Sequence, residues 1–289
     1  MNIVGLGKAG CSIASKMGEY PQYTVYKIDV GLEGEFDFIE GYDDAQQTSK
    51  TFSVKEQDNP EEYENNAPNL TEYFRDIKEE TIFIVSGINI ISGMCLRILE
   101  QLAKKTEISI LYIKPDTTML SSSRGLQENM VYKVLQEYTR SGVFKVIYLI
   151  SVPEVEKMIG EISIMSYWDQ IDSTIAYMLH MMNIYKHSPQ IMGNEEAPKI
   201  TSRIATFGVG VFGEEIKMLF SLDNIREIGY IYGVNENSLK TENKLFTEIK
   251  GQIRQRIEKD NIKVTYKICS TSYEKTYIYC TAYTPHIQT

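Results

Sequence analysis

Short apolar runs alternate with amphipathic stretches through the first half of the chain. Ile3-Val4 opens an apolar strand that enters a glycine turn, Gly5-Leu6-Gly7-Lys8-Ala9-Gly10, and a helix is predicted over 11–17. Further strands are predicted over 24–28, 81–85, 108–113 and 144–150, with helices over 93–105 and 127–138. Strands that alternate with helices in this way predict a parallel sheet covered on both faces. The acidic, polar stretch over 29–69, with Asp43-Asp44 and Asp58-Asn59-Pro60-Glu61-Glu62, is expected to be mostly solvated loop.

A long helical pattern follows over 163–186, where Ile164, Trp168, Ile171, Ile175, Leu179 and Met182 recur at steps of three and four. Ser188-Pro189 ends it, and the stretch over 193–198 reads as a linker. Beyond it the pattern predicts a strand over 203–208, a helix over 214–220, a strand over 228–234 and a helix over 244–259. Two closing strands, over 263–269 and 275–282, are expected to pair with each other antiparallel across the turn at 270–274. The second part is therefore expected to be smaller and of mixed sheet.

Composition changes this picture little and narrows function more. The 289 residues suffice for one large or two ordinary domains, with 24% charged and 43% hydrophobic residues. A net charge of -9 argues against general nucleic-acid binding, which relies on basic surfaces. Cys11, Cys95, Cys269 and Cys280 show neither a CxxC pair nor His at ligand spacing, so no zinc site or disulfide framework is expected and a reducing cytoplasm fits. No apolar run reaches membrane-spanning length, and the N-terminus enters a strand, not a signal peptide. His180, His187 and His286 are too scattered for a metal or a triad, and the tyrosines of the closing strands read as half-buried sheet residues.

The glycine turn between strand and helix is where chemistry is expected. Glycines let the backbone approach a phosphate, and the helix that follows offers unpaired N–H groups and the positive end of its dipole. A tight turn without ligand is the alternative. Asp29, about twenty residues on at the end of the second strand, stands where an acid would hold a ribose, so an NAD(P)-dependent oxidoreductase is a rival reading. Trp168 and Asp172, four residues apart, share one face of the long helix. Taken by themselves they read as a core aromatic and an exposed helix charge.

The run from Gly5 to Met17 resembles, without a gap, the first phosphate loop of the tubulin/FtsZ superfamily. Phe83-Ile84-Val85-Ser86-Gly87-Ile88-Asn89-Ile90-Ile91-Ser92-Gly93-Met94 falls where that family carries a strand and a glycine-rich second loop, and Lys114-Pro115 where FtsZ has Lys-Pro. The resemblance runs over nearly the whole chain and lies nearer the reduced plasmid and phage forms of the TubZ and PhuZ type. It implies an α/β fold with a parallel-sheet nucleotide-binding domain over 1–162, a central connecting helix over 163–187 and a smaller mixed α+β C-terminal domain over 198–289. It also implies that Gly5, Gly7, Lys8, Gly10, Cys11, Ser92 and Gly93 hold the phosphates of GTP or GDP, with Mg²⁺ accompanying GTP, while Trp168 and Asp172 hold guanine. The catalytic acids would come from Asn194, Glu195 and Glu196 of a neighbouring copy in a cytoplasmic head-to-tail homopolymer, without membrane or direct nucleic-acid partner.

Two departures shape the expectation. Asn89-Ile90-Ile91 replaces three consecutive glycines, and branched residues resist positive φ. Asn194-Glu195-Glu196 does not reproduce the family's NxDxxD pattern, and residues 197–202 leave little room for the next helix. Weak or lost GTP hydrolysis is therefore expected, and a non-catalytic tubulin-like interaction protein that no longer binds nucleotide is a further alternative.

Overall fold

The computed structural model describes residues 1–32, 49–241 and 244–289. Two compact units are present, Met1–Tyr177 and Met178–Thr289.

The first unit is built on strands β1 (Asn2–Leu6), β2 (Thr24–Val30), β3 (Ser49–Val54), β4 (Thr81–Val85), β5 (Ile108–Lys114) and β6 (Val146–Ser151), side by side in the order β3-β2-β1-β4-β5-β6. Every neighbouring pair among them is parallel. β1 and β4 are buried at every position, which is why they read as unbroken apolar runs: helices cover both faces of such a sheet. Those helices are α1 (Gly7–Met17), α2 (Pro60–Asn65), α3 (Cys95–Ala103), α4 (Ser122–Arg140) and α5 (Val152–Ile159). A longer helix, α6 (Tyr167–His187), starts in the first unit and contains the boundary between the two. Strand order reverses beside β1, with β2 on one flank and β4 on the other. At such a switch point the loops after β1 and β4 diverge and leave a crevice at the carboxyl ends of the strands.

The polar stretch expected as loop contains both β3 and α2, while Asp43-Asp44 lie outside the described residues. β3 escapes the pattern because it is a half-exposed edge strand whose sequence, Ser-Lys-Thr-Phe-Ser-Val, lacks an apolar run. The buried Tyr73 secures it: its hydroxyl accepts from the Lys27 N–H of β2 (3.0 Å) and donates to the Lys50 carbonyl of β3 (2.9 Å). α2 carries its own start signal, since Asn59 accepts from the Glu62 N–H (2.9 Å) and Pro60 fills the first turn.

In the second unit, β7 (Met192–Gly193), β8 (Ile204–Val211), β9 (Lys217–Met218), β10 (Glu227–Asn235), β11 (Lys263–Thr271) and β12 (Tyr277–Thr284) accompany α7 (Glu236–Thr241) and α8 (Leu245–Asp260). The order is β8-β12-β10-β11-β7, with β9 on β8. The expected pairing of the two closing strands is wrong. β10 lies between them, parallel to β11 and antiparallel to β12. α8 makes the crossover to parallel β11, burying Leu245, Ile249 and Ile253 against Tyr230, Tyr232 and Val264, and that cluster places β11 on the far side of β10.

The helix expected over 214–220 is also absent. The chain turns back at Gly213 (φ +88°), and β9 pairs antiparallel with β8. Gly208 and Gly210 of β8 leave room on its surface that Met218 and Ile216 fill, so apolar spacing that suggested a helix serves a short hairpin. Nor is the stretch over 193–198 a free linker: the Asn194 N–H donates to the Tyr266 carbonyl and its side-chain oxygen accepts from the Tyr266 N–H, each at 2.9 Å. No helix among the described residues is long and apolar enough to cross a membrane.

Candidate nucleotide-binding site

The loops after β1 and β4 flank the switch point, with Ile91 of the second reaching Gly7 of the first, and their glycines do different work. Gly7, at φ +70°, opens α1 in a conformation that favours glycine. Gly5 and Gly10 face each other so closely that a side chain on Gly5 would strike the Gly10 carbonyl, and one on Gly10 would sit 2.5 Å from the Ile84 carbonyl of β4. These two glycines let α1 lie down on β1 and β4. Cys11 points inward: its thiol donates to the carbonyls of Gly5 (3.4 Å) and Ile28 (3.5 Å), and burial pushes it up to about 12. Lys8 is exposed. No side chain caps the first turn of α1 and no acid lies in it, so its N–H groups and dipole are left for an anion.

The second loop is closed by side chains. Residues Ile90–Met94 form a 3₁₀ turn, and none of Asn89, Ile90 and Ile91 takes a positive φ. The conformation that branched residues resist is simply not used. Ser92 donates to the Asn89 carbonyl (2.6 Å), and Gln127 of α4 donates to that carbonyl (2.8 Å) and to Ser92 Oγ (3.2 Å). Gly93 lies tightly against the Pro60 carbonyl at the start of α2. The turn brings Ile91 onto the first loop, with Cγ2 3.0 Å from where a Cβ on Gly7 would stand.

The start of α6 lies against α1. Trp168 is 60% exposed, and its ring stands at a right angle to that of Tyr167, with centroids 5.1 Å apart. Asp172, one turn on, is 6% exposed and hydrogen-bonds Ser12 of α1. Burial raises the Asp172 carboxyl above its ordinary range, while the Ser12 bond and the charges of Lys16 and Lys8 oppose the rise. Lys16 also pairs with Asp169 at 2.6 Å, so two contacts fix the head of α6 to α1. Asp29 is half-buried, accepts from the Val30 N–H (2.9 Å), and is raised by burial against the pull of Lys8.

The sequence-predicted residues thus fall into groups. Lys8 and Trp168 are exposed, Asp172 is buried against Ser12 of α1, and Gly5, Gly7, Gly10, Cys11, Ser92 and Gly93 are packed within the loops. Ser12, Asn89, Ile91 and Gln127 matter to the geometry and were not among the predicted contacts. Ser12 was legible inside the motif, but nothing in the local pattern linked Gln127 to a loop 35 residues earlier.

In the second unit, Asn194, Glu195 and Glu196 are all engaged within the chain. Glu195 pairs with the buried Lys267 (3.3 Å), whose ammonium also donates to the Lys186 carbonyl (3.0 Å), and Glu196 pairs with Lys263 (2.9 Å). The Lys263 partner lowers the Glu196 carboxyl. Glu227, also buried, accepts from the Lys199 N–H (3.0 Å) and Ser202 (2.8 Å), which ties down the rest of the segment. Among the described residues no group of three His, Cys, Asp or Glu is placed to hold a metal ion.

No protein-family model and no curated protein matches the chain. Solved structures do. A GTPγS-form protofilament of TubZ from Bacillus thuringiensis serovar israelensis superposes with a TM-score of 0.72 at 11% identity, covering 98% of this chain and 87% of that one. CetZ2 from Haloferax volcanii, a GTPγS-bound protofilament, gives 0.70 at 10% identity over 97% and 92%. An empty FtsZ dimer from M. jannaschii gives 0.66 at 11% identity over 98% and 87%. The glycine turn, the parallel sheet with its switch point and the helix that carries Trp168 and Asp172 thus belong to a chain with the tubulin/FtsZ superfamily fold.

Proposed function

We propose that this is a tubulin/FtsZ-like cytoskeletal protein of the plasmid and phage type, which binds guanine nucleotide and self-assembles head to tail into filaments with weak or lost GTP hydrolysis. The observation that carries the reading is the pair at the head of α6. An exposed indole offers a face for a base, and one turn on a carboxylate held by Ser12 can accept the two donors on the edge of guanine. Gly7, Lys8 and the uncapped start of α1 would meet the phosphates. Self-assembly draws support from the fold, since TubZ and CetZ2 were solved as protofilaments. A head-to-tail contact is heterologous and does not close, so it propagates.

Weak hydrolysis draws support from the second unit. Glu195 and Glu196, the candidates to polarise water for a neighbour, are neutralised by Lys267 and Lys263 of their own chain. Loss of general-base assistance costs about 10²–10⁴ in rate. The fold favours guanine over the dinucleotide that Asp29 suggested. One observation, Ile91 seated on Gly7, favours instead a tubulin-like interaction protein without nucleotide.

Nucleotide content of freshly purified protein, followed by titration with GTP, GDP, ATP and NAD, tests the reading. Guanine nucleotides should rank first, and Asp172→Ala should weaken them by about 1.5–3 kcal/mol through loss of a charged hydrogen bond. Acidification gives a second handle. The Asp172 carboxyl sits above the ordinary carboxylate value, so the bare protein gains from its protonation below that raised value and loses the gain as pH rises through it. Guanine binding runs the other way: it needs the ionised form and should weaken as pH falls through that raised value, a dependence that Asp172→Asn removes. Equal affinity for ATP would sink the base assignment, and absence of every nucleotide would favour the interaction protein.

A further inference from the structure

Helix α4 is patterned the reverse of most surface helices, with polar groups inside and apolar ones outside. Its buried side carries Glu128, Gln136 and Thr139 beside Tyr132 and Leu135. Those polar groups have partners: the Tyr112 hydroxyl donates to Glu128 (3.0 Å), the Lys114 ammonium stands 4.0 Å from the same carboxylate, and Thr139 donates to the Leu135 carbonyl (2.7 Å). The outer side carries Leu126, Met130, Val134 and Tyr138, spaced by four, an oblique ridge about 18 Å long. Leu126 is 63% exposed, Met130 61% and Tyr138 45%, while Val134 is half-buried. Val143, 53% exposed, follows at the helix end, where its N–H donates to the Tyr138 carbonyl (3.1 Å). At those exposures Leu126, Met130, Tyr138 and Val143 leave on the order of 400 Å² of mostly apolar surface in water, about half of the ~800 Å² that each partner gives to a standard interface. Lys133, Glu137 and Arg140 are exposed beside the ridge and supply a polar rim.

We propose that α4 packs antiparallel on α4 of a second copy, across a two-fold axis at Val134. The ridge complements itself in that arrangement. Met130 of one copy meets Tyr138 of the other, Leu126 meets Val143, and rows of side chains spaced by four interlock in the commonest class of helix packing. Charge sets direction and register: about an axis at Val134, Lys133 of each copy comes within reach of Glu137 of the other, twice over, whereas a parallel pairing holds the two a helical turn apart. The contact is isologous and closes at two copies, unlike the open head-to-tail one, and it is independent of nucleotide.

Sedimentation equilibrium of the full chain, freed of nucleotide, tests it. The wild type should dimerise with a dissociation constant of about 1–100 μM, and Met130→Glu should raise that constant at least about thirtyfold, as loss of a central apolar anchor does. Met130 is exposed in the single chain, so the variant should keep wild-type helical content by circular dichroism, which separates lost docking from lost fold. Met165→Glu, at an exposed methionine outside the ridge, should leave the dimer unchanged. Cysteine cross-linking reads the register, because the four native cysteines are buried. Val134→Cys lies on the axis and should oxidise to a disulfide-linked dimer, whereas Leu126→Cys, far from its own counterpart in an antiparallel pair, should not. A wild-type chain that stays monomeric at about 100 μM, a dimer that survives Met130→Glu, or a Leu126→Cys variant that links to itself as readily as Val134→Cys overturns the inference.

Discussion

The two loops at the switch point are built by opposite means. The first works by leaving side chains out: Gly5 and Gly10 allow α1 to touch β1 and β4, and Gly7 turns where other residues would be strained. The second is made by putting side chains in: Ser92 and Gln127 bind the Asn89 carbonyl, and Ile91 fills the space over Gly7. A loop of missing side chains keeps its shape because the elements around it meet through backbone. A loop of present side chains keeps its shape only while each of those groups is there, and it has filled space that the first loop leaves open.

The comparison breaks most visibly at Gly10. A methyl group there would stand 2.5 Å from the Ile84 carbonyl, and backbone cannot step aside as a side-chain end can. Gly10→Ala should cost about 3 kcal/mol or more, the upper end of overpacking, or prevent folding outright. Chemical denaturation measures it. A cost below about 1 kcal/mol would mean that α1 and β4 are not in backbone contact.

The second loop should fail more gently. Gln127→Leu keeps the bulk of the side chain and removes two hydrogen bonds, so global stability should fall by about 1–2 kcal/mol. Amide exchange over 87–93 should rise further than this, because the loop opens locally before the fold does. Unchanged exchange would show that Ser92 and the packing of Ile91 suffice without α4.

This contrast also separates what was legible in the sequence from what was not. β1, β4, β5 and the length of α6 followed from apolar periodicity because both faces of the sheet are covered and the code is dense. The glycine turn was legible because absence of a side chain is a local signal. β3 was missed because an edge strand carries half that code, and the order of β10, β11 and β12 because pairing is set by which side of the sheet α8 covers. Trp168 and Asp172 were singled out by the family resemblance, and their four-residue spacing added only that both lie on one helix face. The clamp of Gln127 on Asn89 and the pairs of Glu195 and Glu196 with Lys267 and Lys263 join residues 38, 72 and 67 positions apart, respectively, and no local pattern encodes them. Ile90 and Ile91 did register as a departure from glycine, but the sequence led to an expectation of strain, where the structure has an unstrained 3₁₀ turn.

The smallest effect sharpens the meaning of a glycine in this unit. Gly125 lies in the first turn of α4, with nothing within 4 Å of where a Cβ would be and no positive φ. Neither close packing nor backbone shape requires it. In the unfolded chain glycine samples more conformations than alanine, so it loses more entropy on entering a helix. Gly125→Ala should therefore stabilise the protein, by about 0.4–1 kcal/mol, with the low end favoured because the site is close to the helix start. Equilibrium denaturation beside Gly10→Ala reads out the pair: the same added methyl group should change stability in opposite directions at two helix starts. Destabilisation at Gly125 would point to a contact with that face of α4, and would remove the sign difference on which the contrast between required and dispensable glycines stands.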